Sequence, residues 1–343
     1  MFMMFYIYFF FNSNKMFFMF ILFFSTLISI SSNSWLGCWI GLEINLLSFI
    51  PLISNNKNLM STEASLKYFL IQSIASINFL FIILMKMFFM KNFEINILFS
   101  ILINSSLLMK MGATPFHFWF PNIMEGLNWI NCFILMSWQK ISPMILLSYY
   151  FNMNFIMIIM MMNVVIGAMS GFNQTSIRKL MAFSSINNLG WFLAAMMISE
   201  NLWLFYFIFY TFMISIMCFL FFLLNIFYLN QIINLNMNYL LKMSLFINFF
   251  SLGGLPPFLG FFPKWMIINY LIMNNLYLIT FIFLMSSLIM LFFYIRIIYL
   301  SILLNFFKLK WFKINLKNNL IKIINFFSLI SFLGLILNTL FFI

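Results

Sequence analysis

Apolar runs of about twenty residues recur along the chain, separated by short clusters of Asn, Ser, Lys or Pro. Each is long enough to cross a bilayer as a helix, and about eleven are predicted. The first covers roughly 3–30 with a polar interruption from Asn12 to Lys15, the second 35–54, the third 61–88, the fourth 95–125 and the fifth 127–150. The sixth and seventh flank a polar turn from Asn173 to Lys179, and the eighth covers roughly 201–229. The ninth covers roughly 241–273, the tenth ends near Arg296 to Leu300, and the eleventh closes the chain. Ser61 is expected to cap the third span, with Glu63 in its first turn. The pattern predicts an all-α polytopic membrane protein.

Two spans are interrupted. Gly112-x-x-Pro115-Phe116-x-x-x-Phe120-Pro121 in the fourth recurs as Gly254-x-x-Pro257-Phe258-x-x-x-Phe262-Pro263 in the ninth, and five of the seven prolines fall in these two stretches. Each proline removes a backbone donor, and the freed carbonyls must be met by side chains or water. An odd number of spans separates the copies and turns the second upside down. The expectation is an antiporter-like inverted repeat with a discontinuous helix in each half, the arrangement that sets a transport site near the bilayer midplane. It divides the chain into 1–150 (spans one to five), 151–303 (spans six to ten) and 304–343 (a basic loop and the last span).

Composition then removes most function classes. Hydrophobic residues make up 65% and charged residues 6% of the 343, too little polar surface for a soluble globule of this size. Cys38, Cys132 and Cys218 lie far apart and His117 is the single histidine, so no metal or haem site is expected. No glycine-rich nucleotide loop is present. There are 31 Met and 53 Phe against 11 Gly and no Asp. That bias towards residues with A- and T-rich codons points to an organelle-encoded gene. The opening MFMMFYIYFFFNSNK has its charge after its apolar run and no small-residue cleavage site, so neither a removable signal nor a transit peptide is expected.

The net charge of +12 suits membrane orientation better than nucleic acid, because the basic residues sit mostly at span ends. With eleven spans, one face receives Lys57, Arg178, Lys179, Lys242 and the run Lys308, Lys310, Lys313 and Lys317. The other has Lys86 and Lys91, balanced by Glu94, and Glu200. The basic face is expected to be the matrix side of a mitochondrion, with the N-terminus there and the C-terminus across the membrane.

Against that background, Glu43, Lys67, Lys110, Lys140 and Lys264 stand inside apolar spans, where each charge costs about 2.5–3.5 kcal/mol. Lys140 is the clearest anomaly, about ten residues from either end of its span and too deep to snorkel. Lysine suits proton relay because its charge responds readily to burial and to neighbouring charges. Plainer readings stay open: Lys110 as a helix-end cap, and Lys67 as an i,i+4 partner of Glu63. Glu43 is expected to act on Lys110 if helix two packs beside helix four. Lys110 ends the first half of its broken helix, where the dipole favours a cation, whereas Lys264 opens a second half, where the dipole opposes one. His117 reads as a polar side chain satisfied at the break, with a ligand role as the alternative.

The stretches SWLGCWIGLEINLL at 34–47, STEASLKYFL at 61–70, KMGATPFHFWFPNIMEG at 110–126, NQTSIRKLMAFSSIN at 173–187 and SLGGLPPFLGFFPKW at 251–265 resemble one family closely. It is the antiporter-like subunit 2 family of mitochondrial NADH dehydrogenase, respiratory complex I, in its insect form, and the resemblance covers nearly the whole chain. It implies a proton-translocating membrane-arm subunit of the inner membrane. FMN, iron–sulfur clusters, NADH and ubiquinone would be held by partner subunits, with no cofactor in this chain. The implied neighbours are antiporter-like subunit 4, the small subunit 4L, accessory subunits and phospholipids including cardiolipin, with no nucleic acid. By similarity Glu43, Lys110, Lys140 and Lys264 align with the family's proton-pathway residues and Lys67 with a further buried lysine. The family usually has histidine where this chain has Asn188, in Ser184-Ser185-Ile186-Asn187-Asn188-Leu189-Gly190-Trp191. Asparagine does not titrate near neutral pH, so a relay here would run through water. A cation/proton antiporter subunit and a structural spacer with static lysines are the alternative readings.

Overall fold

The computed structural model describes residues 13–55, 58–89, 93–235, 237–303 and 318–334. Among them every regular element is helical apart from one isolated bridge between Ser176 and Tyr228. The chain forms two compact units, 1–159 and 160–343. The predicted first ten or so residues, Lys57, Lys91 and the run Lys308 to Lys317 lie outside the described residues, as does the side chain of Glu94.

The first unit begins with α1 (Ser13–Ser31) and α2 (Trp35–Ile53), a hairpin whose helices touch closely: a Cβ on Gly41 would stand 2.7 Å from the Ser29 backbone nitrogen. Ser34 caps α2 by accepting from the Gly37 N–H. α3 (Leu59–Phe88) packs against α2, against α4 (Phe93–Met111) and against α5 (Trp119–Gly126). α3 starts at Leu59 with Asn58 as its cap, so Ser61 is not the N-cap the sequence suggested. The Ser61 hydroxyl instead donates to the carbonyls of Asn55 and Asn58. A short 3-10 turn, Phe116–Phe118, joins α4 to α5, and α6 (Trp129–Met136) and α7 (Trp138–Ser148) follow. α7 packs on α4 and on α1.

α8 (Met153–Gly171) leads into the second unit, where α9 (Ile177–Ile198) is enclosed along almost all of its length. α10 (Glu200–Leu224) ends on Asn225 in the left-handed conformation and is followed by the short α11 (Leu229–Asn234). α12 (Tyr239–Gly253) and α13 (Phe261–Met273) are the two pieces of the second broken span, followed by α14 (Tyr277–Leu303) and α15 (Asn318–Phe332). α15 packs against α12 and α10. Its Ser331 carbonyl accepts the Leu259 N–H of the break loop at 3.0 Å, which meets part of the polar backbone that a broken membrane helix exposes.

Among the described residues nine helices are long and apolar enough to span a membrane by length and composition, and Tyr239–Gly253 and Leu320–Phe332 are shorter apolar helices. With α12 and α13 taken as one broken span, these account for the expected set of about eleven.

Candidate functional site

In the first unit, Lys110 lies in the last turn of α4, 8% exposed. The helix stops because Gly112 adopts φ 72° and closes a paired cap: Gly112 N–H donates to Met109 at 3.2 Å and Ala113 N–H to Leu108 at 3.0 Å. A Cβ at Gly112 would stand 3.1 Å from two side-chain atoms of Phe120. Two carbonyls at this end receive side-chain donors from elsewhere, Lys110 O from the Gln72 amide at 3.1 Å and Met109 O from the Trp119 indole at 3.2 Å. No hydrogen bond to the Lys110 ammonium is found among the described residues. The half-buried Glu43 lies on α2, and α3 is the helix that packs against both α2 and α4.

Lys140 is 1% exposed and its ammonium lies 5.2 Å from the Phe120 ring centroid. Its span was expected to be continuous, but it is interrupted at Ser137, whose φ of −111° and ψ of −76° separate α6 from α7. The Ser137 hydroxyl donates to the Phe133 carbonyl at 2.6 Å. Lys140 therefore sits in the first turn of a half-helix. All three deeply buried lysines of the predicted set stand within one turn of a helix break.

In the second unit, α12 ends on Gly254 at φ 82°, with Gly254 N–H donating to Phe250 at 3.0 Å and Leu255 N–H to the same carbonyl at 3.3 Å. Lys264 opens α13 as expected and is 8% exposed. Its side chain reaches back, so that its ammonium donates to the Gly253 carbonyl at 3.2 Å and lies 5.6 Å from the Trp191 ring centroid. The α13 dipole was expected to oppose this charge. The lysine instead presents it to the C-terminal end of α12, where the dipole attracts a cation. A small cavity of about 20 Å³, roughly what one water needs, is lined by Asn188, Tyr206, Tyr210, Ser251 and Lys264. The Tyr206 hydroxyl donates to Asn188 Oδ1 at 3.1 Å, so Asn188 is engaged with a phenol that sequence reading had not singled out.

Two of the site expectations are corrected. Lys67 is not buried: it pairs with Glu63 at 3.6 Å, both side chains more than half exposed, whereas the next residue, Tyr68, is buried. His117 is buried against Phe118, ring centroids 4.2 Å apart, but its Nδ1 makes no hydrogen bond of good geometry. Lys86, in the last turn of α3, is 7% exposed, its ammonium donating to the Tyr150 hydroxyl and lying 5.8 Å from the Trp35 ring centroid. Its signal was the aromatic set Trp35, Tyr149 and Tyr150 at neighbouring span ends. Among the described residues no group of three His, Cys, Asp or Glu could hold a metal ion, and the three cysteines are buried and form no disulfide.

An all-helical apolar chain with broken spans and buried lysines at the breaks defines a class: multi-pass membrane proteins with discontinuous helices. A family model described as "NADH:quinone oxidoreductase/Mrp antiporter, TM" matches residues 32–290. NADH-ubiquinone oxidoreductase chain 2 of Anopheles gambiae is 52% identical over 93% of this chain and 95% of its own length. The Aedes aegypti chain of the same name is 52% identical over 96% of this chain and 97% of its own. The fold is shared with a chain of respiratory complex I from Thermus thermophilus (TM-score 0.81, 18% identity), covering 95% of this chain and 78% of that one. The chain belongs to the NADH:quinone oxidoreductase/Mrp antiporter transmembrane family and, within it, to the NADH-ubiquinone oxidoreductase chain 2 group in its insect form.

Proposed function

We propose that the chain is a proton-translocating membrane-arm subunit of mitochondrial respiratory complex I, in which Lys110, Lys140 and Lys264 take up and release protons while Glu43 biases Lys110. The observation that carries this reading is the burial of three lysines at helix breaks, two of them beside small cavities. Holding amines out of bulk solvent is costly. A change in a neighbouring charge then shifts the protonation balance of each in turn. The redox steps belong to partner subunits carrying FMN and iron–sulfur clusters, which oxidise NADH and reduce ubiquinone. This chain would lie in the inner membrane beside antiporter-like subunit 4 and subunit 4L, with accessory subunits and cardiolipin around it. Its N-terminus would face the matrix and its C-terminus the intermembrane space.

One contact favours a second reading, a structural spacer: the Lys264 ammonium caps the Gly253 carbonyl as a static side chain would. Lys140→Met in the assembled complex separates the two. Proton transport is expected to lose at least half its yield per electron pair. Unchanged electron transfer with unchanged proton yield would favour the spacer, and sodium-dependent transport would favour a cation/proton antiporter.

A further inference from the structure

Between α2, α3, α4 and α7 lies a cavity of about 10 Å³, close to the minimum for one water, lined by Asn45, Tyr68, Gln72, Lys110, Gln139 and Ser142 among others. Its walls are tied together across three helices. The Gln139 amide donates to Asn45 Oδ1 at 2.9 Å, and the Tyr68 hydroxyl donates to Gln139 Oε1 at 3.4 Å.

Ser142 departs from the habit of serines in this chain. Ser48, Ser65, Ser106 and Ser148 each turn their hydroxyl back to the carbonyl three residues earlier, at 2.7–2.9 Å. Ser142 does not, although the carbonyl three residues before it, that of Gln139, also loses its usual helical donor at Pro143. Its Oγ is fully buried and has no hydrogen-bond partner among the described residues. A buried hydroxyl left unpaired costs about 1–3 kcal/mol, and a cavity edged by a hydroxyl, amides and an ammonium offers a water the two to four partners it needs.

We propose that this cavity binds one water molecule between the Ser142 hydroxyl and the Lys110 ammonium, with Asn45, Gln139 and Tyr68 holding the walls. This water is the first carrier of the Lys110 proton. On discharge an ammonium N–H bond breaks and a water O–H bond forms, while the water gives a different proton to the next acceptor, a further water or a carboxylate. Charging runs the same bonds in reverse. The occupancy of the site stands on geometry alone; its role as carrier rests on the proton-transfer reading above.

The test uses the assembled complex. A map fine enough to show ordered solvent is expected to place one water within hydrogen-bond distance of Ser142 Oγ, and an empty cavity would overturn the site. Function is then read from Ser142→Thr and Ser142→Val, which have the same shape and differ by the hydroxyl. The threonine complex is expected to move at least twice as many protons per electron pair as the valine complex. Equal yields from the two would overturn the carrier role. Lys110→Met made in parallel separates the failures: if it lowers the yield while threonine and valine agree, only the water is wrong. If it leaves the yield intact, the proton reading of Lys110 falls as well.

Discussion

The two spans broken at a glycine stop in the same way and differ in what meets the carbonyls left behind. In both, a left-handed glycine closes paired backbone bonds onto the last turn, Gly112 on α4 and Gly254 on α12. At the first break the exposed carbonyls take donors from neighbours, Gln72 and Trp119. At the second the donor is Lys264 itself. The difference follows from order along the chain. A lysine before the break points away from its own helix end, so another residue must cap that end. A lysine just after it can fold back and cap with its charge. Capping and charge are separate residues in the first unit and one residue in the second.

The comparison breaks first at Gly260. A Cβ there would stand 1.8 Å from the Ser251 carbonyl oxygen, a backbone atom that cannot swing aside, whereas the tight contacts of Gly112 are to side chains. Gly260→Ala is expected to cost about 4 kcal/mol or more and to leave little assembled complex on a native gel. Normal assembly with an unchanged melting point would show that α12 and the break loop do not approach so closely.

Gly254→Ala and Gly112→Ala sharpen it. Each forces a side chain into the left-handed region at about 1–2 kcal/mol, so their stability losses should be similar. Their effects on transport should not be. The added Cβ at Gly254 meets Lys264 Nζ at 3.1 Å and Cδ at 3.2 Å, while the one at Gly112 meets Phe120 and Trp119. Proton yield per electron pair is expected to fall more in the Gly254 variant, and an equal fall in both would mean that Lys264 is not held as described.

The breaks were legible in the sequence because glycine and proline mark them, and Lys110 and Lys264 could be placed on either side by counting. The kink at Ser137 was not, since a lone serine in an apolar run carries no such mark, and its back-bond to the Phe133 carbonyl shows only in the structure. Helix phase was the other gap. In a chain apolar on nearly every face, periodicity does not say which side of α3 turns inward, so Lys67 was placed inside when its neighbour Tyr68 is the buried residue. The amide chain from Asn45 to Gln139 joins residues far apart in sequence, and only packing brings them together.

The mildest test asks whether capping and charge really separate at the first break. Gln72→Leu removes the donor to the Lys110 carbonyl, and the net loss of one such bond is about 1 kcal/mol. Lys110→Met should cost the fold less than that, because no hydrogen bond to its ammonium is found among the described residues. In the second unit the two properties cannot be parted: Lys264→Met removes the charge and uncaps Gly253 together, and should lower the melting point by an amount comparable to Gln72→Leu. Melting points of the three variant complexes decide the matter. If Lys110→Met proves as destabilising as Lys264→Met, the ammonium in the first unit is itself a structural cap, and the contrast drawn between the two breaks disappears.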